Sequence, residues 1–194
     1  MKPTREHATN NRQTYFVTAS TWQRRALFTN PQWAELFLPT LHSYRGRGYL
    51  LHEYVLMPDH LHVLITPEAT LERAVQFIKG SFSFRAKNEL STSREIWQRG
   101  FSDHRIRDER GFEIHVGYIY RNPVKKGFVE NATQYPYCSG SSGSLKHEVP
   151  QWLKPLKDNT DGMAEAVPFQ NEIPCPRDKV ACPQNAAVCL QIHD

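Results

Sequence analysis

Residues 13–21, QTYFVTAST, concentrate β-branched and aromatic side chains and read as a first strand. Beyond them, Trp33, Phe37, Leu41 and Tyr44 recur at helical spacing. Asn30-Pro31 in front of that run offers a cap and a proline at the first helical position, so a helix begins there. Pro39 falls inside it and is expected to kink it. YLLHEYVLM (49–57) and HLHVLIT (60–66) read as two strands. The Pro58-Asp59 link between them is short enough for an antiparallel hairpin. Thr70 can cap a second helix, along which Leu71, Val75, Ile78 and Phe82 share one face. EIWQRGFSDHRIR (95–107) is extended, with an interruption near Gly100. Asp108 then caps a last helix whose buried stripe is Phe112, Val116 and Ile119. Pro123 disfavours helical geometry at Asn122, so this helix is expected to end about there.

The first six elements run strand, helix, strand, strand, helix, strand. That order predicts an α+β fold, a ferredoxin-like antiparallel sheet with its helices on one face, plus one additional helix. Side chains alternate along a strand. If Leu61, Val63 and Ile65 lie under the helices, His60, His62 and Leu64 face the other side.

The pattern breaks after Tyr137. CSGSSGS (138–144) has the composition of a flexible linker, and the following segment shows no sustained periodicity. A folded domain over residues 1–140 and a poorly structured tail over 141–194 are therefore expected. Cys175, Cys182 and Cys189 lie in that tail seven residues apart, unlike the closely spaced pairs of structural zinc sites. With Cys138 the only other cysteine, the main domain cannot depend on a disulfide.

Composition excludes little. Of 194 residues, 39% are hydrophobic and 23% charged, as in soluble globular proteins. No run is long enough to span a membrane, and the N-terminus lacks the apolar core of a secretory signal, so a cytoplasmic location is expected. All but five of the 24 lysines and arginines precede residue 131, which leaves a basic body suited to phosphate-bearing partners.

Two constellations could carry chemistry. His60 and His62, at i and i+2 on a strand, project side by side and can close on one ion. In isolation an H-x-H pair is more often just hydrogen-bonded histidines. Tyr118 and Asn122, four apart, are neighbours on one helix face, with His115 a turn earlier. Singly, these are ordinary packing and an ordinary helix stop. Together they suggest a phosphodiester site. A cation on two imidazoles and an amide oxygen would withdraw charge from a phosphate, and a phenol nearby could attack phosphorus. Imidazole ligands alone lean toward a transition metal. Arg45, Arg47, Arg105, Arg107, Arg121, Lys125 and Lys126 sit in turns or at element ends, where phosphate contacts are easy. Tyr15, Phe16 and Trp97 could stack unpaired bases, although most aromatic residues are expected in the core.

MPDHLHVLI (57–65), WQRGFSDHRIR (97–107) and YIYRNPVKKGFV (118–129) resemble the three signature blocks of the single-tyrosine HUH transposases. Among these, the chain is most similar to the REP-associated tyrosine transposases, over roughly residues 13–140. The resemblance implies metal ligation by His60, His62 and Asn122, and a nucleophilic Tyr118. It implies Mg²⁺ or Mn²⁺, a single-stranded DNA substrate with hairpins, and a 5′-phosphotyrosine intermediate with a free 3′-OH. The resemblance implies that a homodimer can form, and a monomer is equally compatible with the sequence. One position departs from the pattern: relatives often carry His where this chain has Tyr120. Two residues turn a helix by about 200°, so Tyr120 should face away from Tyr118.

Two other readings stay open at this point. A non-catalytic ferredoxin-like nucleic-acid binder would need no ion, although an RGFGFV-type aromatic signature is missing. A barrel-type H-x-H hydrolase would need a longer domain.

Overall fold

The computed structural model describes residues 13–142 and 149–154. Its elements are β1 (Thr14–Ser20), α1 (Pro31–Ser43), β2 (Tyr49–Met57), β3 (His60–Pro67), α2 (Leu71–Glu89), β4 (Ser102–Ile106) and α3 (Glu109–Lys125). The strands form one sheet in the order β2-β3-β1-β4, and every pairing is antiparallel. This is the ferredoxin-like α+β arrangement expected from the element order.

α1 and α2 cover one face. Val17 and Ala19 of β1 and Leu61, Val63 and Ile65 of β3 point into that side, against an aromatic nucleus of Phe28, Phe37, Phe82 and Trp97. α3 covers the other face. Phe112, Val116 and Ile119 pack there on Val55, Met57, Leu64 and Ile106. Among the described residues no helix is long and apolar enough to cross a membrane.

The caps match the residues expected to make them. Asn30 accepts from the Gln32 N–H, Thr70 from that of Arg73 and Asp108 from that of Gly111. Both prolines lie inside their helices, and the one in α3 departs from the expected helix end. α1 runs through Pro39, which lies on its exposed side with Glu35, so the carbonyl that the proline leaves unbonded can turn to water. α3 runs through Pro123 to Lys125. Its end is set instead by Gly127, at φ +72°. The Phe128 N–H bonds to the Pro123 carbonyl and the Gly127 N–H to the Val124 carbonyl, a Schellman closure that needs the left-handed residue.

The linker expected from CSGSSGS is also corrected at its start. Cys138 and Ser139 are buried, and Cys138 bridges to Val55 on the free edge of β2. The Leu56 N–H donates to the Tyr137 carbonyl, and the Tyr135 hydroxyl to that of Leu56. Edge pairing thus overrides a flexible composition. Tyr120 reaches from α3 into the same region. Its hydroxyl donates to Glu53 Oε2 at 2.9 Å, and the Ser139 hydroxyl donates to the same oxygen. A Cβ at Gly140 would stand 2.9 Å from the Tyr120 ring, so only glycine leaves room for it. Further along, Leu153 is buried on the α3 side and the Trp152 indole N–H donates to Thr14 Oγ1. The cysteines at 175, 182 and 189 lie outside the described residues.

A bulge between Leu51 and Glu53 pushes His52 out of the β2–β3 ladder. Its Nε2 lies 2.8 Å from Thr66 Oγ1, which is 2.8 Å from Thr14 Oγ1. Burial, assisted by the Arg45 charge, lowers the His52 pKa from 6.5 to about 4. The unfolded chain therefore takes up this proton first, and stability falls as pH drops from about 6.5 to about 4. At about 1.4 kcal/mol per unit the loss approaches 3 kcal/mol. Urea unfolding at pH 7 and pH 4.5 should show this loss, and His52→Gln should lose measurably less over the same interval.

Candidate active site

The site grows from the start of β3. Because its alternate residues are committed to the α1/α2 core, His60 and His62 turn toward α3, 7% and 6% exposed. Their Nε2 atoms are 3.1 Å apart and their rings cross at 78°. Two ligands at right angles on an ion at about 2.1 Å would stand about 3.0 Å apart, so the pair is spaced for one small cation.

Each imidazole is held from behind. Asp59 Oδ1 lies 2.5 Å from His60 Nδ1. A carboxylate can only accept, so the proton sits on Nδ1 and Nε2 offers its lone pair. His62 Nδ1 lies 2.8 Å from Thr18 Oγ1. That hydroxyl can donate while His62 Nε2–H faces His60, or accept if the Nε2 lone pair is needed. Either tautomer of His62 is thus supported.

Asp59 is itself braced. Its backbone carbonyl accepts from both the N–H and the hydroxyl of Thr21. Arg24 Nη1 lies 3.4 Å from its second carboxylate oxygen. Gln23 and Arg24 are consecutive left-handed residues, at φ 53° and 55°, each costing about 1–2 kcal/mol. This strained bend carries Arg24 to Asp59. Burial alone would raise the Asp59 pKa, but the hydrogen bond and charge of His60, with Arg24, outweigh it and hold the carboxyl below its ordinary value. Burial, then the neighbouring His60 and Arg24 charges, push His62 well below 6.5. It is therefore a neutral imidazole at physiological pH.

α3 brings the phenol. The Tyr118 ring lies 5.2 Å from His62 and edge-on to Phe16 at 5.6 Å. Phe16 stacks on His62 at 5.2 Å, so one β1 side chain touches both. Asn122 is one turn further on the same helix face. Its amide oxygen is buried without a hydrogen-bond partner among the described residues, which costs about 1–3 kcal/mol. A cation would satisfy it. Among the described residues no three His, Cys, Asp or Glu side chains group as a metal site, so a third protein donor beside the two imidazoles would have to be of another type, such as this amide. Two imidazoles with one amide oxygen fit an ion that accepts both nitrogen and oxygen, as Mn²⁺ does, and also admit Mg²⁺.

The basic residues divide. Arg121 lies on α3 near Tyr118, with its guanidinium folded back over Gly117, where a Cβ would be 3.3 Å from Nη2. Lys125 and Lys126 follow, exposed, at the helix end. Arg107 is exposed just after β4, and Arg105 points to the opposite face of β4 from His104. Arg45 and Arg47 precede Tyr49, which pairs with Pro67 at the far end of β3, roughly 23 Å from His60. They do not share the histidine site. Trp97 is packed among Phe28, Phe37 and Phe82, and Phe16 is wedged between His62, His115 and Tyr118, so neither is a free base platform.

Thr18, Arg24 and the bracing role of Asp59 were missing from the sequence reading. Thr18 could have been suspected as a polar residue in an apolar strand, but only the β1–β3 register sets it opposite His62. Nothing in the sequence marks Arg24.

The family model described as "Transposase IS200 like" matches residues 9–122. The chain belongs to that family. Among curated relatives of this IS200-like transposase is the REP-associated tyrosine transposase of Escherichia coli K12, 30% identical over 129 residues, spanning 65% of this chain and 75% of the relative. A solved structure of a REP-associated tyrosine transposase bound to a REP hairpin superposes with a TM-score of 0.63 at 24% identity. It covers 88% of this chain and all of that one, a likeness of fold. The matched span contains the histidine pair, Tyr118 and Asn122.

The desolvated state of His62 can be checked by titration. Imidazole NMR signals of His62 should stay those of the neutral ring as pH falls from 7.5 to 5.5. A midpoint at or above 6.5 would contradict the burial that α3 and Phe16 impose.

Proposed function

We propose that this transposase is a metal-dependent single-stranded DNA endonuclease and strand transferase, acting at hairpin-forming repeats. The observation that carries the proposal is the contact between the Tyr118 ring and His62, beside a second imidazole whose Nε2 is 3.1 Å away. His60, His62 and Asn122 would hold Mg²⁺ or Mn²⁺. When bound, the ion withdraws charge from a non-bridging phosphate oxygen.

The remaining steps fall to side chains. Tyr118 Oη loses its proton to solvent and attacks phosphorus. A phosphorus–oxygen bond forms to the phenol, the bond to the 3′ oxygen breaks, and that oxygen leaves as a 3′-OH with a proton from solvent. The 5′ side stays on the tyrosine. One phosphodiester replaces another, so the reverse attack by a 3′-OH needs no added energy source. Arg121, Lys125 and Lys126 would neutralise phosphates along α3, and Arg107 would do so just past the end of β4. Phe16 fixes the phenol and His62 relative to each other. Both halves of the site come from one chain, so a monomer suffices for one cleavage, and a homodimer is compatible. The relative seen with a REP hairpin supports hairpin DNA as the substrate class.

Two substitutions test this. Tyr118→Phe should abolish a denaturant-resistant protein–DNA adduct while leaving DNA affinity within about twofold. An adduct that survives in this variant overturns the assignment. Asp59→Ala removes the acceptor that fixes His60, and Mn²⁺ affinity measured by calorimetry should fall about 10- to 100-fold. Unchanged affinity would remove Asp59 from the account. DNA binding that ignores metal, with no cleavage under Mg²⁺ or Mn²⁺, would instead indicate a binding protein without catalysis.

A further inference from the structure

His104 and His115 have no part in the chemistry above. We propose that their paired rings form a stacking platform for an unpaired base of the strand that reaches Tyr118. The nature of the strand rests on the strand-transfer reading, whereas the platform rests on ring geometry.

His104 lies on the edge strand β4, opposite Phe16, and is exposed. Its ring stacks on that of His115 of α3 at 5.1 Å and 20°. His115 is held in place because its Nδ1–H donates to the Gly111 carbonyl at 2.7 Å. The His115 ring is 4.8 Å from Phe16, which touches both His62 and Tyr118. A continuous row of π faces therefore leads from solvent at His104 to the histidine pair and the phenol.

This second histidine pair is not a second ion site. Nearly parallel rings hold their lone pairs in parallel planes, which do not converge on one point. His60 and His62 do the opposite, crossing at 78° with Nε2 atoms in contact. Nor do the rings offer donors built for a phosphate: His115 commits its Nδ1–H to the Gly111 carbonyl, and His104 presents a flat ring stacked at 20° on its neighbour. A flat, uncharged partner remains. Among the described residues the His104 ring makes no hydrogen bond, so a base can extend the stack without breaking one.

The test uses fluorescein-labelled oligothymidylate of 15 nucleotides and a duplex of the same length, with affinities read by polarisation. His104→Ala should weaken single-strand binding about 5- to 150-fold and leave duplex binding unchanged. His104→Phe, which keeps a flat ring, should restore it. Unchanged single-strand affinity, an equal loss for the duplex, or failure of His104→Phe to restore binding would each overturn the platform. Adduct formation through Tyr118 is scored separately. A missing adduct with the expected His104 pattern defeats the strand-transfer reading alone, and a normal adduct with no His104 effect defeats the platform alone.

Discussion

Everything at the site depends on the two-residue alternation of β3. Leu61, Val63 and Ile65 are each at most 1% exposed beneath α1 and α2. Burying each such side chain is worth about 1.5–3 kcal/mol. A slip of one residue would drive two imidazoles into an aromatic core and place three aliphatic side chains on the other face. The register is therefore fixed by packing energy, and the exposure of both histidines to α3 follows from it. The sheet spends its hydrophobic alternation on one face and thereby orients chemistry on the other.

The second requirement is the rotation of α3 about its own axis. Three groups set it. Phe112 is fully buried against the sheet, Tyr120 is tied to Glu53, and the Schellman closure at Gly127 ends the helix where residues 135–141 fold back onto β2. Because Tyr120 is anchored on the β2 side, Tyr118 is turned about 200° away from it, toward His62 and Phe16. The tyrosine that departs from the family pattern thus helps aim its neighbour. The Asp59–His60 and Thr18–His62 hydrogen bonds complete the arrangement by presenting the Nε2 atoms of both rings.

Much of this was legible in the sequence because it rests on local rules. Asn30, Thr70 and Asp108 cap the helices that their positions suggested, and the Pro58-Asp59 turn makes the hairpin. What escaped was tertiary. The helix runs through Pro123 to Lys125, three residues past the boundary the proline suggested, before it closes through Gly127. The CSGSSGS segment resembles a linker, yet Cys138 and Ser139 satisfy an otherwise open strand edge. Arg24 reaches Asp59 across a pair of left-handed residues that no local pattern marks, and the β1–β3 register alone joins Thr18 to His62. Arg45 and Arg47 looked equivalent to the other basic residues until the sheet separated them from the histidines.

The central claim is that one cation sits between His60, His62 and Asn122 within reach of Tyr118. Diffraction from Mn²⁺-loaded crystals, measured on both sides of the manganese absorption edge, addresses it directly. The account predicts a single strong anomalous peak bonded to the Nε2 atoms of both histidines and to the Asn122 amide oxygen, on the Tyr118 side of the sheet. Manganese bound elsewhere, with His60 and His62 still bonded only to each other and to Asp59 and Thr18, would contradict it.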